Sequence, residues 1–258
     1  MITFQSFMRL LASLILLGSP YAFACTEPND APYPSLAVDG GKVVFSSIAV
    51  LEDEGKEDPE MGLGVSFLDC STGITKLIAR LPFLADPGEV RDVFTANVAN
   101  GDNELFIIHS APIRAYTGVN YGSDYFSVMA FHKNEGGFTI DKKLTDYFGS
   151  GADVMPPNDN ESTPIYTYPF KTRHSVTSQL SSKNYLNWAN DELLELTVNQ
   201  KTYIYSFQAI AGITRMYLIK GDKITQKTIS AGWIQFLYTT ANKKEIHGWI
   251  PCKNADGC

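Results

Sequence analysis

Short blocks of apolar residues, many with alternating polar neighbours, fill the chain from Ala31 to Phe148, and none sustains a helical period. Lys42–Leu51 (KVVFSSIAVL), Gly64–Asp69, Ile74–Ala79, Glu104–Ile113, Tyr125–His132 and Phe138–Leu144 are rich in β-branched and aromatic residues. Each is bounded by Gly, Ser, Asn or Asp, so each predicts a strand. Cys70-Ser71-Thr72-Gly73 and Lys133–Gly137 read as hairpin connections.

The six strands read as two copies of one unit, offset by 60 to 63 residues. Val38-Asp39-Gly40-Gly41 precedes the first copy as Val98-Ala99-Asn100-Gly101 precedes the second. Such hairpin repeats build sandwiches and propeller blades, and two units are too few to close a propeller. The long loops inside the copies differ. Glu52–Glu60 carries six acids, Glu52, Asp53 and Glu54 among them, and one Lys; Arg114–Asp124 is rich in Gly and Tyr, with Tyr116 and Tyr121. Variable loops on a common scaffold are where binding concentrates, so these residues are binding candidates beside the plainer reading of a solvated turn. The acids lack the spacing of a calcium loop.

From Gly149 to Leu180 the texture changes. Four prolines and Asn158-Asp159-Asn160 read as an irregular connection, while Tyr166, Tyr168 and Phe170 are too aromatic for a disordered linker. Tyr185–Leu196 reads as a short helix. The expected division is a signal peptide over 1–24, a β-rich domain over 25–148, a connection over 149–196 and a small barrel over 197–258. The predicted fold class is all-β.

The leader reading rests on Arg9, the apolar run Leu10–Leu17, the breakers Gly18-Ser19-Pro20 and the small-x-small site Ala22-Phe23-Ala24. The run is about half of the roughly 20 residues that span a bilayer, so no transmembrane segment is expected. Cleavage after Ala24 would leave Cys25 first. A lipid anchor on Cys25 is the alternative, disfavoured by bulky Phe23. Cys25, Cys70, Cys252 and Cys258 form an even set in an exported chain, which reads as disulfides. Three pairings are open, and spacing favours Cys25 with Cys70 and Cys252 with Cys258; free thiols are the alternative. Location is thus expected to be periplasmic or secreted. The net charge of −7 disfavours nucleic acid and anionic membrane as partners.

The last quarter carries the most specific pattern: Thr202–Tyr205, then Tyr217-Leu218-Ile219-Lys220-Gly221-Asp222, then Gly232-Trp233 leading to Tyr238, then Gly248-Trp249-Ile250. Five short strands with Gly turns in such a span predict a small, partly open barrel. The pattern resembles the bacterial SH3-like domain family. The resemblance implies a non-catalytic attachment module, often meeting peptidoglycan, in which Tyr217, Trp233, Tyr238 and Trp249 contact a ligand or fill the core.

Reactive machinery is sparse. His109, His132, His174 and His247 show no metal-ligand spacing, and no nucleophile elbow, phosphate loop or dinucleotide fingerprint occurs. No metal or cofactor is expected. Cys70 as a nucleophile, and the acid pairs Asp141/Asp146 and Asp191/Glu192 acting as in glycosidases, are the catalytic alternatives. The leading expectation is a non-catalytic envelope protein that binds wall material or a protein, with a toxin-immunity inhibitor as a specific form. A wall hydrolase is the rival. The oligomeric state is left open.

Overall fold

The computed structural model describes residues 25, 30–51, 57–114, 118–157 and 163–257. Two antiparallel meanders come first. β1 (Leu36–Val38), β2 (Gly41–Leu51), β3 (Glu57–Asp69) and β4 (Thr75–Arg80) lie side by side in chain order, as do β5 (Glu89–Asn97), β6 (Asn103–Ala111), β7 (Tyr125–Asn134) and β8 (Gly137–Ile140). A core of Val43, Phe45, Val65, Leu105, Ile107 and Phe131 lies between the two sheets.

The second meander is buried on both faces. Along β6 the alternation of the strand sends Leu105 and Ile107 to the core between the sheets, while Phe106 and Ile108 join an aromatic core on the opposite side. That second core is closed by three helices, α1 (Lys142–Phe148), α2 (Arg173–Leu180) and α3 (Lys183–Ala189), and by Tyr166, Tyr168 and Phe170. The two-residue strand β9 (Ser150–Gly151) pairs with β7.

The all-β expectation is therefore corrected to a mixed α/β fold. The stretch read as a strand over Phe138–Leu144 stops at Ile140, because the Asp141 carboxylate accepts from the Leu144 N–H and caps α1 instead. Leu144, Tyr147 and Phe148 then fall on one buried face. Thr172 and Ser175 form a reciprocal capping box on α2, and Ser182 caps α3 through the Tyr185 N–H.

The C-terminal part is also corrected. β10 (Glu195–Val198), β11 (Thr202–Tyr205), β12 (Ile213–Leu218), β13 (Lys223–Ser230), β14 (Trp233–Thr239), β15 (Glu245–Pro251) and β16 (Ala255–Asp256) form one sheet in the order β12-β11-β15-β14-β13-β10-β16. It is open, with β12 and β16 at its ends, and only partly curled, so the barrel expected of an SH3-like domain does not form. β10 takes the free side of β13, where closure would have needed another neighbour. The sheet has its own core of Val198, Ile204, Leu218, Ile234, Phe236 and Ile250.

The β13–β14 turn locks this sheet to the rest. The Ala231 N–H donates to the Tyr147 carbonyl at 3.0 Å, the Ser230 hydroxyl to the Asp146 carbonyl at 2.9 Å, and the Tyr166 hydroxyl to the Ala231 carbonyl at 2.5 Å. Among the described residues no helix is long and apolar enough to cross a membrane.

Candidate functional site

Where α1, the end of α3 and β13 meet, a cleft of about 430 Å³ opens. Its aromatic wall is Tyr147 and Trp188, with ring centroids 4.4 Å apart. Tyr147 is fully buried, its hydroxyl bonded to the Gln179 side-chain amide at 2.6 Å, and burial pushes its proton affinity well up. Trp188 is half-buried, with the Lys143 ammonium 4.9 Å from its ring centre.

The rim alternates in charge. Lys142 pairs with Asp146 one turn along α1 at 2.5 Å, and Lys143 reaches Asp191 at 3.3 Å. Asp191 follows Asn190, the C-cap of α3, in the left-handed region with φ of 57°, a conformation Asp tolerates better than most residues. Glu192 follows it on the rim.

The far wall belongs to β13. Its pairing with β14 slips by one residue between Gln226 and Thr228, so Lys227 is the extra residue of a bulge and stands exposed at the cleft. Gln226 is only 3% exposed, and its side-chain carbonyl has no hydrogen-bond partner among the described residues. A buried acceptor left unpaired costs about 1–3 kcal/mol.

The cleft brings together Asp146, Asp191 and Glu192, three of the acids singled out from the sequence, whereas Asp141 is spent on the α1 cap. None of the aromatic candidates lines it. Trp233 is 2% exposed, stacked on Tyr166 at 4.9 Å and edge-on to Tyr205 at 4.9 Å. Trp249 and Tyr121 are half-buried against the same aromatic core, and Tyr238 points its hydroxyl at Asp222, 3.3 Å away. Tyr217 is exposed on the edge strand β12, under the Lys201 ammonium at 4.5 Å. Glu52, Asp53, Glu54 and Tyr116 lie outside the described residues.

Cys25 and Cys70 form a disulfide, which removes Cys70 as a nucleophile. Cys252 is also disulfide-bonded, and Cys258 lies outside the described residues. Sequence reasoning passed over Tyr147, Trp188 and Gln226. A trace of the first two was present: an aromatic directly after Asp146, and a Trp three residues before Asp191. Gln226 left none, since its significance is its burial. No family model, curated protein or solved structure matches the chain.

Proposed function

We propose that the protein is an exported, non-catalytic binding protein that holds a saccharide segment of wall material in the cleft between α1, α3 and β13. The observation that carries this reading is the cleft lining, which sets the half-buried Trp188 beside Lys143, Asp146 and Lys227, with the unpartnered Gln226 carbonyl in the same wall. A sugar ring offers what such a site lacks: hydroxyl donors for Gln226, and an apolar face for Trp188, which Tyr147 backs from the core. The alternating Lys and Asp rim supplies both donors and acceptors for the remaining hydroxyls.

Binding is favoured over hydrolysis by the state of the acids. A general acid is held protonated at neutral pH by apolar burial. The Asp146 and Asp191 side chains are instead 61% and 86% exposed, each beside a lysine.

Sedimentation with purified sacculi and titration with soluble muropeptides test the proposal. Trp188→Ala and Gln226→Leu are each expected to weaken binding about tenfold or more, equivalent to about 1.4 kcal/mol, with Tyr217→Ala as an unaffected control. Sacculi should release no fragments. Equal retention of all three variants, or fragment release, would overturn the reading.

A further inference from the structure

A second constellation lies at the β5–β6 turn. Asp102 closes the β5–β6 turn, Glu104 sits on β6, and His132 is on β7, one step beyond the Leu105–Phe131 pair. One ligand atom from each lies within 4.8 Å of the others. His132 Nδ1 is 2.8 Å from Glu104 Oε1. Glu104 is 2% exposed, and its Oε2 has no hydrogen-bond partner among the described residues. A carboxylate in that position loses its hydration and gains one hydrogen bond in return.

We propose that Asp102, Glu104 and His132 bind a divalent transition cation of the zinc type. Two carboxylates and a neutral imidazole balance a doubly positive ion. The mixed nitrogen–oxygen set suits zinc better than magnesium or calcium, which prefer oxygen alone. Tetrahedral bonds of about 2.0–2.2 Å put ligand atoms about 3.3–3.6 Å apart. The Glu104–His132 contact of 2.8 Å would therefore open by about 0.5–0.8 Å, while Asp102 closes in. Asp102 is held for this at the turn: Asn100 Nδ2 donates to its Oδ2 at 2.7 Å, and the Val98 N–H to its carbonyl at 2.9 Å. The His132 side chain is 51% exposed, which gives the ion a path from solvent.

Calorimetric titration of the full chain with zinc chloride, repeated with magnesium chloride, reads the site directly. One zinc per chain is expected, with little magnesium uptake. His132→Gln, a change at an exposed side chain, should weaken zinc binding at least tenfold and abolish the rise in Tm that zinc gives the wild type. Asp102→Asn should weaken it too, which keeps the test decisive if Glu104→Gln fails to fold. His174→Gln and His247→Gln should leave it unchanged. Absence of zinc binding, binding indifferent to His132→Gln, or loss on changing His174 or His247 would each overturn the proposal.

Discussion

His109 shows how a single buried residue sets a pH limit. It is 1% exposed, and its Nε2–H donates to the Pro87 carbonyl at 2.9 Å. Gly88 makes that fit possible: it adopts φ of 65°, and a Cβ there would stand 2.2 Å from the Ser110 carbonyl and 2.6 Å from the His109 ring. Burial lowers the His109 pKa, so the folded protein holds the ring neutral while the unfolded chain takes up a proton near its ordinary value of about 6.5. The unfolded state therefore binds more protons in this window. Its stabilising share is fully present above the unfolded value and is lost as pH falls below it. Urea unfolding between pH 7.5 and 5 should show stability falling on acidification, and His109→Gln should flatten that slope. An identical slope in the variant would contradict this account.

At the scale of elements, α1 joins the two halves of the molecule: its cap ends the second meander, its buried face fills the aromatic core, and its last turn bonds the β13–β14 turn. Asp141→Ala removes the cap and should cost about 1 kcal/mol. Because Asp146 and Tyr147 ride on the same helix, the variant should also bind muropeptide more weakly, measurable beside its urea midpoint. A loss of stability with muropeptide affinity intact would separate the cap from the cleft.

The strands around Val43–Phe45, Leu105–Ile108 and Trp233–Tyr238 were legible because short runs of β-branched and aromatic residues bounded by turn residues mark them locally. Of the helices only α3 was read, and too far along: the expected Tyr185–Leu196 helix is Lys183–Ala189, with Glu195 and Leu196 in β10. Each helix has only seven or eight residues, too few for a helical period to emerge, and α1 follows a strand with no Gly or Pro between. Their capping residues, Asp141, Thr172 and Ser182, were the available local sign. The open sheet was hidden for another reason. Whether strands close into a barrel depends on who pairs with β13, and β10 lies outside the Gly–Trp pattern that drew attention to the region. The site shared this fate: its acids were visible as residue types, but their convergence is a property of packing.

At the scale of the whole molecule, the Cys25–Cys70 disulfide ties the start of the described chain to the end of β3 across 45 residues. A loop of that length gives about 4 kcal/mol in the chain-entropy account. The double variant Cys25→Ser/Cys70→Ser should unfold at a markedly lower urea concentration. An unchanged midpoint would mean that the bridge adds nothing beyond the packing of β1 and β2. Deeper inside, β6 is a party wall. Its odd positions furnish one room and its even positions the other, so a slip of a single residue would exchange the furniture of both at once. An odd insertion in the Val98–Asp102 turn is consequently tolerable only where the turn itself absorbs it, because passing it on into β6 would turn each side chain into the wrong room.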